Sequence, residues 1–252
     1  MVTLWIWLLG PALFLAQLVM LRAGERLARR LATDRTPNSA INPIITAILP
    51  LMGLVLAFSF SNAAGRLDAS RKTILDEVNA IETAWLRVDL AEPEAQPRLR
   101  ALLQRYTDAR IRSYQVIPDP PEYQRQVALG HELLREAWTV GVQGTTVTPN
   151  RTLLLSGLNA VGDAAGARVM SLGTHMPPLV VGFLFGAVLV GVLLVGMALA
   201  GTGDRHGFHR VIVAAVLSSV VVVILDLEYP RVGFMLLEKA DLMLVELRRS
   251  MT

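Results

Sequence analysis

Four stretches of this chain are apolar for long enough to cross a bilayer, whose hydrocarbon core takes about 20 helical residues. They are residues 4–21, 41–61, 179–200 and 211–227. The third carries no charge over its whole length, whereas the fourth is shorter and ends in Asp226. In lipid every backbone polar group must be satisfied internally, so the reading is four transmembrane helices. Pro43 and Pro50 sit in the second span, where neighbouring groups take up the carbonyls that a proline frees. A cleaved signal peptide would open on a basic residue, but Met1 to Trp5 holds none and the arginines follow the apolar run. The first stretch therefore reads as a retained helix with its N-terminus outside.

The composition agrees. The chain is 53% hydrophobic and 18% charged, against about 45–50% and 25% in ordinary soluble domains. Its net charge of +3 is localised. Residues 22–40 hold Arg22, Arg26, Arg29, Arg30 and Arg35 against Glu25 and Asp34, which alone gives +3. The loop 201–210 carries +1, residues 62–176 balance 13 basic against 13 acidic side chains, and the tail from Asp226 carries −1. Basic short loops stay in the cytoplasm. The expected topology is N-out, with spans 1 and 2, a helical domain outside the cytoplasm, then spans 3 and 4, and a tail on the domain's side. An excess this small makes no basic face for nucleic acid.

The fold class is thus an all-α integral membrane protein with a 2+2 arrangement of spans. Residues 1–64 hold the first pair and an Arg-rich loop, 65–176 a helical soluble domain, 177–229 the second pair, and 230–252 an amphipathic C-terminal helix. Within the domain, Leu67, Ile74, Val78, Ile81, Trp85 and Val88 are spaced as a heptad seam. Only Gly65 separates it from the second span, so residues 41–90 read as one rod of about 75 Å at 1.5 Å per residue, ending near Pro93. Further helices are expected over 97–115, over 121–139 and from Pro149. Together with the rod they would make a four-helix bundle. Gly182 and Gly186, and Gly162 and Gly166, have the spacing of close helix packing.

Signatures of catalysis are absent: no G-x-S-x-G, no phosphate-binding G-x-x-x-x-G-K, no H-E-x-x-H. With no cysteine, thiol catalysis, disulfides and Cys-ligated metals are excluded. Asp204, His206 and His209 read as a polar turn and not as metal ligands, and His131 and His175 stand alone. No enzyme, metal or cofactor is expected. The polar residues of interest lie at span ends, where burial is costly and charges face a cavity or partner. Asp226 and Glu228 end the fourth span; Ser59, Ser61 and Asn62 end the second. On the expected topology both ends reach one outer vestibule, and the alternative is a simple headgroup boundary. In the rod, Glu77, Asn79, Glu82 and Arg87 flank the seam, as members of ion pairs within or between helices.

The chain resembles the bacterial bestrophin-like family of membrane proteins. The likeness rests on Gly53 to Phe58, on Glu77-Val78-Asn79-Ala80, on Trp85-Leu86-Arg87, and on the turn Asp226-Leu227-Glu228-Tyr229-Pro230-Arg231-Val232-Gly233, which matches at both acids, Pro230 and Gly233. It departs at Val78, at Trp85, and around the turn's proline. The resemblance implies a homo-oligomer in a bacterial inner membrane. Through the distant likeness to bestrophin anion channels it implies a pore lined by the second span. That role falls to Leu51, Leu54 and Phe58, whose spacing keeps one helix face, and to Ser61 at the span's end. Bestrophins carry their helical domain in the cytosol, whereas the charge count here assigns it outside.

Two functions follow. The first is an oligomeric ion pathway, with the heptad seam holding neighbouring rods together and an apolar constriction as gate. The second is a non-conducting sensor or scaffold whose outer helical bundle binds an envelope partner and relays through the helix over 66–90, with Trp85 or Arg87 as residues on which that binding would depend.

Overall fold

The computed structural model describes residues 2–31, 41–116, 119–173, 175–200, 207–229 and 238–251. Among them all regular structure is helical. The helices are α1 (Val2–Leu31), α2 (Ile41–Arg87, continued by a 3-10 turn over Val88–Leu90), α3 (Gln96–Gln115), α4 (Pro120–Gln143), α5 (Thr148–Gly173), α6 (Pro178–Leu199), α7 (Gly207–Glu228) and α8 (Glu238–Ser250). Helices long and apolar enough to cross a membrane lie within Leu8–Leu31, Pro43–Leu90, Thr148–Leu199 and Gly207–Glu228. Pro50 lies inside α2 without ending it.

Two compact units form, one from Met1–Leu67 with His175–Leu236, the other from Asp68–Thr174 with Leu237–Thr252. In the first, α1 packs along α6 and α7. The contact depends on glycine. A Cβ on Gly24 would run into the backbone of Leu193, and one on Gly196 into the backbone of Leu21. Gly191 makes room for the Met52 sulfur of α2. The glycines expected to pack closely behave otherwise: Gly166, Gly182 and Gly186 meet nothing within 4 Å, and Gly162 touches only Leu134. Spacing marks a smooth face, but which helix lies behind that face is a tertiary matter. At the opposite end of the α1–α7 contact from Gly10 and Val222, Glu25 is buried and pairs with Arg210 at 2.6 Å.

The second unit packs α3 on α4, and α4 on α5. Asp119 caps α4, accepting from the Glu122 amide at 3.4 Å. That helix runs to Gln143, four residues past its expected end. Gly141 does not stop it, because the missing side chain lets Leu154, Leu155 and Leu158 of α5 approach within 3.3–3.6 Å of where a Cβ would stand. All six residues of the heptad seam are buried, but within their own chain. Gly157 of α5 lies against Ala84, and Arg110 of α3 bonds Glu77 beside the seam. The seam is therefore spent on intrachain packing and is not available to join the rods of two copies. The C-terminal helix belongs to this unit as well: Leu244, Leu247 and Met251 are buried, Arg248 pairs with Asp108 at 2.8 Å, and Gln104 donates to the Met251 carbonyl at 2.8 Å.

A methyl group at Gly24 or Gly196 meets backbone, which cannot step aside, so overpacking should cost about 1–3 kcal/mol or more. Gly24→Ala and Gly196→Ala are each expected to lower the melting temperature of the detergent-purified protein by several degrees. Gly182→Ala should leave the melting curve of the single subunit unchanged.

Candidate functional site

The apolar part of α2 has two faces. Met52, Leu56, Ser59 and Ala63 are buried. Leu51, Leu54 and Phe58, turned away from them, are 60%, 52% and 62% exposed, and Ser61 continues this open face. Steps of three and four residues keep these side chains in line. No charged residue interrupts the helix between Ile41 and Ser61, so the open face is apolar for most of its length, then polar at Ser61 and Asn62.

Just beyond that polar end, α2 carries Arg66. Its guanidinium donates through Nε to Glu228 Oε2 at 2.7 Å, with a second, very short contact from Nη2. The other oxygen of Glu228 accepts from the backbone amide of Met176, directly before α6. One buried carboxylate thereby ties the end of α7 to α2 and to the entry of α6. The Tyr229 ring stacks on His175, with centroids 5.0 Å apart. Asp226 is buried too. The span ends do meet, but through Arg66, which sequence reasoning missed, and not through Ser61 or Asn62, which are exposed. A missed signal existed: Arg66 is one turn past Asn62, at the place where a basic residue can reach the acids ending another span. Pro230 and Gly233 lie outside the described residues, as do Asp204 and His206.

A second buried network surrounds Glu77. The carboxylate is fully buried and accepts from Arg110 Nε and from the Tyr114 hydroxyl, both at very short range. Arg110 Nη2 also donates to the Tyr114 oxygen at 3.0 Å. The guanidinium of Arg168 lies over the Tyr114 ring, 5.2 Å from its centroid, and donates to the Ser70 carbonyl at 2.9 Å. Burial, reinforced by the Glu77 carboxylate, raises the Tyr114 and Tyr106 phenols well above their ordinary range, so both stay protonated and Tyr114 stays a donor. Burial alone would weaken the Arg110 charge, but the Tyr114 oxygen and Glu77 outweigh it, and its pKa is raised. Arg110, Tyr114 and Arg168 are 33 to 91 residues from Glu77 in the chain, and no local pattern pairs them.

The remaining candidates on α2 divide. Asn79 and Glu82 are exposed. Arg87 donates to the Leu153 carbonyl at 2.8 Å and to Ser156 Oγ at 2.7 Å. Trp85 is buried beneath the Arg100 guanidinium, 4.7 Å from its ring centroid. Both residues expected to greet a partner are thus occupied inside the unit. Among the described residues no cluster of three or more His, Cys, Asp or Glu side chains is placed to hold a metal.

Comparison with known proteins completes the picture. A family model described as "Bestrophin-like domain" matches residues 11–242. No curated protein matches. Among solved structures, a single-residue variant of a bacterial bestrophin homolog from Klebsiella pneumoniae superposes with a TM-score of 0.73 at 16% identity, covering 98% of this chain and 97% of that one. Another variant of the Klebsiella homolog superposes at 0.69 with 15% identity, over 98% and 99% of the two chains. A crystal structure described only as a membrane protein variant gives 0.72 and 17%, over 98% and 97%. At these identities the shared feature is the fold, and it extends over the whole chain.

Removing one partner from a buried pair strands the other charge, at about 3–5 kcal/mol. Glu77→Met and Arg110→Met, each alone, should therefore unfold the purified protein at a markedly lower temperature than wild type. Glu77→Met combined with Arg110→Met should recover much of the loss, a non-additivity readable in a double-mutant cycle.

Proposed function

The chain belongs to the bestrophin-like family, and from that premise we propose that it is an oligomeric membrane channel for a small ion, with α2 of each copy lining an axial pathway. The carrying observation is the open face of Leu51, Leu54 and Phe58 on a helix whose other face is packed. Apolar side chains facing one another around an axis narrow and dry a passage, so that ions cross only when it widens enough to wet. Ser61 and Asn62 would receive the ion at the polar end. By the family's likeness to bestrophins the ion is an anion.

In this reading α1, α2, α6 and α7 are the four spans in a 2+2 order. The unit that contains α3, α4, α5 and α8 is the soluble domain. The basic residues at the end of α1 and just after it, with those around the start of α7, favour both connections in the cytoplasm and that domain on the outer side of a bacterial inner membrane. The Glu228 and Glu77 networks supply the rigidity that a lining helix needs. The scaffold alternative loses its proposed contact surface, since Trp85 is buried and Arg87 is bonded to α5.

Flux of a small anion into proteoliposomes tests the channel directly. Phe58→Ala removes the bulkiest side chain of the stripe and is expected to raise flux several-fold over wild type, while Leu56→Ala on the packed face should not. Flux from both wild type and Phe58→Ala equal to that of empty liposomes would overturn the proposal.

A further inference from the structure

The exposed face of α1 changes character along its length. Leu8, Leu15 and Val19 are exposed and apolar, then Arg22, Arg26, Arg29 and Arg30 are exposed and cationic. The spacings of seven, four, three, four and three keep Leu8 to Arg29 on one side of the helix, and Arg30 is the next residue along. The opposite side, with Leu13, Leu21 and Ala28, is buried where the helix packs along α6 and α7. The one acid on this stretch, Glu25, is turned inward and already paired with Arg210. Among the described residues none of the four arginines takes part in an ion pair, so about 12 Å of helix at 1.5 Å per residue presents four uncompensated cations.

We propose that this face is a binding site for an anionic phospholipid, its acyl chain lying along Leu15 and Val19 and its phosphate held by Arg22 and Arg26, with Arg29 and Arg30 adding to the local potential. The complementarity has two parts in the order a lipid needs them, apolar surface and then guanidinium groups. Guanidinium forks suit phosphate oxygens, and long basic side chains at a span's end reach naturally into the headgroup layer. Cations beside a membrane helix gain affinity from each anionic headgroup nearby. The site does not depend on the channel reading: it concerns the outer surface of a different helix, and either can fail without the other.

The full-length protein, reconstituted with an equimolar mixture of phosphatidylglycerol and phosphatidylcholine bearing identical chains, is released into native mass spectrometry and the retained lipids are counted. Wild type is expected to retain phosphatidylglycerol in preference to phosphatidylcholine. Arg22→Gln with Arg26→Gln should reduce that preference about ten-fold or more, without changing phosphatidylcholine retention or the melting temperature, since both side chains are exposed. Arg22→Lys with Arg26→Lys keeps the charge and should keep most of the preference. Three results would overturn the proposal. The first is equal retention of the two lipids by wild type, which would leave the arginines a purely topological role. The second is an unchanged preference in the glutamine variant. The third is glycerol phosphate, the soluble headgroup, binding wild type as tightly as the whole lipid, which would remove any part for the apolar stripe.

Discussion

The rotational setting of α2 is the constraint on which the other features depend. A single helix runs from Ile41 to Arg87, and two charges fix its phase: Arg66, bonded to Glu228, and Glu77, bonded to Arg110 and Tyr114. Arg66 holds one side of the helix inward within the first unit, and Glu77 holds it within the second. A buried carboxylate pays heavily for losing its partner, so the helix cannot turn without breaking both networks. With that side held inward, Met52, Leu56 and Ala63 pack, and Leu51, Leu54 and Phe58 are left on the open side. The setting of the apolar stripe thus depends on the polar bond that Arg66 makes just beyond one end of the span.

The same division of labour recurs in α1. Its buried face approaches α6 so closely that Gly24 and Gly196 admit no side chain, and Glu25, which would otherwise repel an anionic surface, is drawn inward by Arg210. The outward face is then free to be apolar along one part and basic along the next. In both helices the inward groups decide orientation, and the outward groups carry whatever chemistry the protein directs at its surroundings.

Apolar length was enough to mark four helices that could cross a membrane, and periodicity to read the continuity of α2 and the helices of the middle segment, because 3.6-residue and heptad patterns report which positions are buried. It did not report what buries them. The seam from Ile74 to Val88 is buried as its spacing demands, yet against α3 and α5 of the same chain instead of a second copy. Glu77 stood out as part of a motif, but its partners Arg110 and Tyr114 lie 33 and 37 residues further on. Which cation reaches a carboxylate depends on how helices cross. Gly24 and Gly196 escaped notice for the same reason, since a lone glycine signals close approach only when the opposing backbone is known. The inclusion of α8 in the second unit, through Met251 and Arg248, is likewise a tertiary fact. The stripe of Leu51, Leu54 and Phe58 comes from the family resemblance; their spacing of three and four keeps them on one helix face, and that face is exposed in the single chain.

A single-cysteine experiment addresses the central claim most directly, and the absence of native cysteine makes the background clean. With Phe58→Cys and Leu56→Cys in separate proteins, currents are recorded in planar bilayers before and after a charged, membrane-impermeant thiol reagent. If α2 lines the pathway as proposed, current through the Phe58→Cys protein changes sharply and irreversibly on labelling, and that through Leu56→Cys does not. An open, conducting Phe58→Cys protein that the reagent leaves untouched would contradict the account.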